Sequence, residues 1–482
     1  MIINQLRRKL IKVFFHSPRA IINLLLINFI IIAFLIGSTL VISRASEFNS
    51  GEQYIQSAWT EFVDSFPEES NQSAYEIQEI LFDLGFSSFL SDPYLESDDE
   101  FPLDVDRELM NSIRDPLSEY VQAQALRDHD GLEQIPEILN NYLIKKEAEI
   151  EKLKYYLLLD EMPFWKLSYA VSKEIPDYTF PLPAFLSVMD VQRLLLVSAI
   201  KSGNLGNRSE VVASLDASLN LTRAVAMRPD FISQLVSLMG LMQFSNIARK
   251  FDFLESDWFK ELELPDYYES MIASFKLESF TLSETLKNYF EISPELLGAM
   301  DADKSSESSS ISLFFPIRMI FHSPFLHLLA TDVFLKTEEL LDLLSLELVS
   351  EGMACYFDSE SFVAKVGLEH NSWWNPLDAS SLLSGFLNQL NRVTKTLLYW
   401  ELTEKIIEVK EVVRDTGSFP REILSIDNSK VCPDIRWDYQ LEANDRLSLS
   451  LIDLPEGIEM RENDPPFRYV LDLDDFLAPS HV

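Results

Sequence analysis

Residues 20–42 read AIINLLLINFIIIAFLIGSTLVI, an apolar run interrupted only by Asn23, Asn28, Gly37, Ser38 and Thr39. At about 1.5 Å of rise per residue, a helix of this length crosses a hydrocarbon core of about 30 Å. The run predicts a transmembrane anchor over residues 20–43 and leaves the rest of the chain to fold in water. Arg7, Arg8, Lys9, Lys12 and Arg19 precede it and only Arg44 follows closely. Basic residues near a span are retained on the cytoplasmic side, so residues 1–19 are expected to be a cytoplasmic tail and the bulk of the chain extracytoplasmic. A bacterial inner membrane is the expected location. A basic stretch before an apolar one also opens a secretory signal peptide, and small residues follow at 43–46. The apolar part of such a peptide is only about 7–15 residues long, which favours an uncleaved signal-anchor.

Charge separates the tail from the body. The whole chain carries a formal −37, from 40 Lys and Arg against 77 Asp and Glu. Without the basic residues of the first 44 positions the balance is 34 against 77. An acidic surface of this kind repels nucleic acid and anionic headgroups, both of which need clustered Lys and Arg, so no nucleic acid partner is expected. The densest acidic stretch, Glu96-Ser97-Asp98-Asp99-Glu100 with Asp104 and Asp106, lacks the spacing and glycine of a calcium loop and reads as a solvated loop.

At 482 residues and 47% hydrophobic composition the chain can bury a large core. Gly is scarce, at 13, and helical periodicity dominates to about Asp415, so the expected fold is mainly α, a helical bundle or solenoid-like ectodomain. Over residues 137–160, Leu139, Leu143, Ile150, Leu153 and Leu157 mark one helical face, with Glu149–Lys152 and Glu151–Lys154 as pairs on the other. A helix over residues 191–200 is broken by Gly203-Asn204-Leu205-Gly206. Asn207 is placed to cap the next helix, with Glu210 completing a capping-box pattern. Arg228-Pro229-Asp230 ends that helix and starts another, along which Ile232, Leu235, Met239 and Met242 repeat at helical spacing.

Residues 301–312 (DADKSSESSSIS) are too polar to hold a core and read as a linker or loop between a helical part at 44–300 and a second at 313–425. The apolar stretch 313–330 contains Pro316, Arg318, His322, Pro324 and His327, which suits core packing better than a second span. Helices are expected at 331–349 and 380–415, the latter with Leu390, Val393, Leu397 and Trp400 on one face. Residues 426–482 change period: Ile435, Trp437, Tyr439 and Leu441, then Leu447, Leu449 and Leu451, alternate with polar residues. This predicts a β-hairpin, with a third strand at 467–471, and hence a small antiparallel sheet.

No phosphate loop, dinucleotide fingerprint, nucleophile elbow or zincin helix is present, so no catalytic, cofactor-binding or metal-binding residues are assigned and no cofactor is expected. His322 and His327 are five apart, a spacing that turns them away from a shared ligand face. Glu338-Glu339 and Asp160-Glu161 are carboxylate pairs of the kind glycoside hydrolysis uses, but so acidic a chain contains such pairs by chance. Trp373-Trp374 suits loop anchoring or sugar stacking. Cys355 and Cys432 are the only cysteines. They lie in no C-x-x-C motif, and an oxidising compartment would allow them to pair, joining the sheet to the helical body.

The anchor, the segment from Leu194 to Lys250 with its Arg228-Pro229-Asp230-Phe231-Ile232-Ser233-Gln234-Leu235 turn, and a late helix leading into Arg414-Asp415-Thr416-Gly417-Ser418-Phe419-Pro420 form a combined pattern. It resembles uncharacterised bacterial, planctomycete-type, single-pass membrane-anchored helical proteins. In these the last motif looks like Y-R-x-x-x-G-x-Y-P-x-x-L before a short sheet, similar to pseudopilin C-terminal regions. Val413 and Phe419 stand here in place of the aromatic and the tyrosine, and the pilin-type leader is missing at the anchor. The resemblance implies a membrane-anchored helical protein and supplies no catalytic residues. The expected function is a non-enzymatic interaction or scaffold role with a protein partner at the membrane. The alternatives are an envelope hydrolase using unrecognised carboxylates and a secretion- or pilus-apparatus subunit.

Overall fold

The computed structural model describes residues 45–86, 105–177, 185–302, 324–350, 385–420, 428–442, 446–454 and 464–473, with isolated positions between them. The chain is mainly helical and closes on a small antiparallel sheet, as expected from the change of period. Of the predicted anchor, Asn28, Ile32, Leu35, Thr39 and Ser43 are described; they are helical and exposed, and the rest of residues 20–43 lies outside the described residues.

The helices, in chain order, are α1 (Ala45–Asp64), α2 (Gln72–Asp83), α3 (Val105–Leu126), α4 (Glu137–Lys145), α5 (Glu147–Leu157), α6 (Ser168–Ser172) and α7 (Phe185–Asn204). They continue with α8 (Arg208–Ala226), α9 (Phe231–Ala248), α10 (Ser256–Glu261), α11 (Tyr267–Ala302), α12 (Pro324–Ser350) and α13 (Leu390–Thr416). Helix α9 is the hub, packing against α3, α7, α8, α11 and α13. Its length and composition would let it cross a bilayer, yet 72% of it is buried inside the body. A helix apolar on all sides belongs in the centre of a helical core, which is where this one sits.

The periodic face read over residues 137–160 is buried as expected, from Leu139 to Leu157, but the helix is broken. Lys146, at φ −108° and ψ 20°, separates α4 from α5, and its buried ammonium donates to the carbonyl of Asp83. The backbone bonds from the Lys146 N–H to Tyr142 O and from the Ile150 N–H to Lys146 O persist across the break, at 2.9 and 3.0 Å. Glu151 pairs with Lys154 at 2.5 Å, whereas Lys152 turns to Glu76 at 3.9 Å rather than to Glu149. Asn207 caps α8 by accepting from the Glu210 N–H at 3.4 Å. The Glu210 carboxylate does not close a capping box, because it is drawn to the buried Lys154 instead.

One apolar core extends from Ala74 to Ile407 and draws on both sides of the 301–312 segment. Asp301 and Ala302 of that segment continue α11, and the remainder lies outside the described residues. Leu328, Leu329 and Ala330 are buried, in keeping with core packing for the end of the 313–330 stretch. Helix α13 is a shared wall: Leu390, Val393 and Ile407 face the main core, while Leu398, Leu402, Ile406 and Val409 face a second core under the sheet.

The sheet has strand order β1 (Trp437–Glu442), β2 (Arg446–Leu451), β3 (Arg468–Asp472), all antiparallel. Tyr439 lies opposite Leu449, which lies opposite Tyr469. Leu447, Leu449, Tyr469 and Leu471 are buried against α13, so alternation gave the inward face correctly. Leu441 is the exception and is exposed. The Tyr399 ring stacks on Phe467 with centroids 4.2 Å apart. Cys355 and Cys432 form a disulfide, with Cα atoms 4.6 Å apart, that links the chain after α12 to the chain before β1.

Candidate functional site

A cavity of about 900 Å³ opens between α3, α9, the start of α13 and the β2–β3 connection. Its apolar wall comes from α9, where Leu235, Met239 and Met242 present the stripe singled out in the sequence. That stripe is not the core face. Ile232 and Met239 are exposed, and the buried side of α9 carries Ser233, Val236, Ser237, Gly240 and Leu241. Small residues there allow close helix approach: a Cβ on Gly240 would lie 3.0 Å from the Thr222 hydroxyl oxygen.

The polar wall is cationic. Arg193, Arg392, Lys395 and Arg461 line the cavity, with Asp464 as the acidic residue among the lining side chains. Arg193 is held by Asp190 at 3.2 Å, and Lys395 pairs with Asp464. Asp464 also accepts from the backbone N–H of Arg461 at 2.6 Å. Among the described residues, neither guanidinium of Arg392 and Arg461 has an ionic partner. Burial, and then the charge of Arg461, lower the pKa of Arg392, against a weaker opposing pull from Asp464. Arg392 and Arg461, each without an ion pair among the described residues, leave four cationic side chains against one carboxylate on this wall, a region of positive potential in a chain of −37.

Side-chain amides complete the wall. Asn391 is fixed by a two-way bond with the backbone of Phe357, accepting at 2.9 Å and donating at 3.1 Å. Gln243 is only 8% exposed, and its amide oxygen, like that of Gln389, has no hydrogen-bond partner. The amino end of α13, which has no side-chain cap, also contributes to this wall. Its macrodipole adds to the positive potential.

No known protein family, curated protein or solved structure matches the chain.

A second polar cluster lies deeper, where β3 meets the helices. Lys250, Arg249 and Lys410 stand 4.8, 5.5 and 5.8 Å from the Tyr469 ring centroid. Lys250 donates to the carbonyls of Arg127 and His129, each at 2.7 Å. Lys410 bonds Asp130, Asp252 at 2.8 Å and the Arg249 carbonyl at 2.7 Å, and Tyr469 donates to Asp130 at 2.6 Å. Burial pulls Lys410 down, but Asp130 and Asp252 outweigh it and raise its pKa. This cluster joins α9, α13, β3 and the chain after α3.

Of the residues weighed from sequence, Glu338 is buried and paired with Lys276 at 3.2 Å, while Glu339 pairs separately with Lys336 at 3.2 Å. They share no site. Asp160 and Glu161 lie in a turn. His327 lies in α12, whereas His322 and Trp373-Trp374 fall outside the described residues, as does the acidic stretch 96–100. Among the described residues no group of three His, Cys, Asp or Glu is placed to hold a metal.

Both motifs behind the family resemblance have structural roles. Asp230 caps α9 by accepting from the Ser233 N–H at 2.9 Å and binds Arg228 at 3.1 Å. Gln234 donates to the carbonyls of Ala226 and Arg228. Arg414 donates to the carbonyls of Asp252 and Leu254, and Gly417, at φ 69°, ends α13 in the left-handed conformation. The cavity residues carried no such local signature. Their one sequence trace is the amide-rich, basic stretch N-Q-L-N-R-V-T-K over residues 388–395, set in an acidic chain.

Proposed function

We propose that this chain is a membrane-tethered, non-enzymatic binding module whose extracytoplasmic body holds an anionic ligand in the α9–α13 cavity. The observation that carries the reading is the Arg392–Arg461 wall, without an ion pair among the described residues, in an otherwise acidic molecule. A guanidinium stays protonated across the physiological range, so it fixes and orients anions and does not relay protons. The interaction or scaffold role expected from the sequence takes this form, with the ligand as its cue for a protein partner. The tether rests on the apolar run at 20–42 and on the resemblance to membrane-anchored helical proteins. The rest of the orientation rests on the basic tail before that run.

The test uses the full chain in lipid nanodiscs, with thermal unfolding followed in chloride and in organic carboxylates at matched ionic strength. The carboxylates are expected to raise the midpoint relative to chloride, and the double variant Arg392→Gln/Arg461→Gln is expected to lose that rise. Equal midpoints in both salts for the unaltered protein would overturn the reading. In the same experiment series, a reporter active only in the cytoplasm and fused after Val482 is expected to stay silent. A signal from it would reverse the orientation.

A further inference from the structure

The described residues of the apolar run and α1 are helical up to the point where they meet. Asn28, Ile32, Leu35, Thr39 and Ser43 are helical, and α1 begins at Ala45. The Thr39 hydroxyl donates to the Leu35 carbonyl at 2.7 Å, one turn back. Within the body, α1 is gripped from two sides. Lys287 of α11 and the Thr331 hydroxyl of α12 both donate to the Glu52 carboxylate, at 3.1 and 2.8 Å, and a Cβ on Gly51 would lie 2.5 Å from Thr331 Cγ2. Farther along, Tyr54 meets Phe334 with ring centroids 6.5 Å apart, and Trp59 meets Phe280 at 5.1 Å. As the contacts ascend α1 they descend α11 and ascend α12, so α11 returns toward the apolar run and α12 leaves from it.

Helical rise converts this register into depth, provided the tether proposed above holds. Ile42, the last residue of the apolar run, precedes Glu52 by about 15 Å of helix. From Lys287, level with Glu52, α11 runs on to Ala302, about 22 Å nearer the bilayer. A bend of about 30° at Pro294 would shorten that reach by only about 2 Å. Pro324, which opens α12, lies about 10 Å to the membrane side of Thr331. The headgroup layer is about 5–8 Å deep on each side of the hydrocarbon, so both helix ends reach it. Leu296-Leu297-Gly298-Ala299-Met300 in α11 and Pro324-Phe325-Leu326 in α12 carry no charge. In the other direction, Tyr268 near the start of α11 lies about 28 Å beyond Lys287. Its hydroxyl is 2.6 Å from that of Thr394, beside the cavity residues Arg392 and Lys395.

We infer that the apolar run and α1 form one unbroken helix on which the body stands upright, with the end of α11 and the start of α12 seated in the outer headgroup layer of the same bilayer and the α9–α13 cavity held about 40 Å out in water. The partner of this surface is lipid, and the cavity is filled from the aqueous side. Net charge repels the body from anionic headgroups, so the contact depends on these uncharged helix ends and on the stalk that holds them in place.

The test uses the full chain in lipid nanodiscs with nitroxide labels on single introduced cysteines, Cys355 and Cys432 being bonded to each other. Leu35→Cys reports the apolar run, Ala299→Cys the end of α11, and Glu269→Cys the exposed first turn of the same helix. Relaxation by oxygen, which partitions into lipid, is compared with relaxation by a water-soluble nickel chelate. The oxygen-to-nickel ratio at Ala299 is expected to exceed that at Glu269 at least threefold, with Leu35 higher still. A high ratio at Leu35 together with equal ratios at Ala299 and Glu269 would overturn the seating and leave the tether intact. Shielding of Ala299 from both reagents would mean a protein contact there and overturn it as well. A ratio at Leu35 no higher than at Glu269 would overturn the tether itself. Paired labels on Leu35→Cys and Glu61→Cys are expected to give one narrow distance of about 39 Å, the rise of a continuous helix. A broad distribution would put a joint between the apolar run and the body, and the inference would fall.

Discussion

Lys250 shows how a single side chain becomes a reporter of its surroundings. Burial, and then the charge of Arg249, push its pKa down to about 6, with Lys410 and Arg127 adding to the fall and Asp130 opposing it. The folded protein therefore sheds this proton above about pH 6, whereas the unfolded chain keeps it to about 10.4. Between those limits the unfolded state binds the extra proton. Stability from this residue consequently rises with pH, by at most about 1.4 kcal/mol per unit, and the gain is lost as pH falls toward 6. Asp130 is raised by burial, so its contribution runs the other way, fading as pH rises through its folded pKa. Lys410, raised, titrates above the window. Urea unfolding at pH 6, 7.5 and 9 is expected to show the native protein gaining stability relative to Lys250→Met as pH rises. A difference independent of pH would mean that Lys250 is charged in the fold.

Among the elements, α9 has most depending on its first turn. Asp230 accepts from the N–H and the hydroxyl of Ser233, at 2.9 and 2.8 Å, and from Arg228. Both ions are buried, so removing the carboxylate strips the cap and also leaves a buried guanidinium without its charge partner. Asp230→Ala is expected to destabilise the protein by about 3 kcal/mol or more. Asp230→Asn keeps the cap and is expected to cost about half as much. Denaturant midpoints at constant slope give both values. Equal effects from the two variants would show that the ion pair, and not the cap, is the main contribution.

For the molecule as a whole, the Cys355–Cys432 bridge closes a loop of 77 residues, and the chain-entropy model assigns such a loop about 4 kcal/mol. The double variant Cys355→Ser/Cys432→Ser is expected to lose about that much. Protein purified without reductant and then unfolded is expected to show no reactive thiols, in keeping with the proposed extracytoplasmic location. Two reactive thiols would remove the bridge and count against the orientation. The bridge also bears on the cavity, because Phe357, two residues past Cys355, holds Asn391 in the cavity wall.

The mainly helical body, the cap at Asn207, the helix boundary at Arg228-Pro229-Asp230 and the inward faces of the sheet were legible in the chain itself, because each rests on local periodicity or on a residue's backbone preferences. The break at Lys146 was not, since the carbonyl of Asp83 that receives its buried ammonium lies far away in sequence. The Ile232–Met242 stripe marked a helix correctly, and its spacing left open which side of that helix is buried. On a helix apolar all round, the pattern cannot say which side meets neighbours, and only the packing of five other helices decided it. The cavity belongs to tertiary structure outright. Arg193, Gln243, Arg392 and Arg461 sit on separate segments, and each alone reads as an ordinary solvated or paired side chain. Their shared positive potential exists only once α9, α13 and the β2–β3 connection have been brought together, since electrostatic fields depend on distance in space and not along the chain.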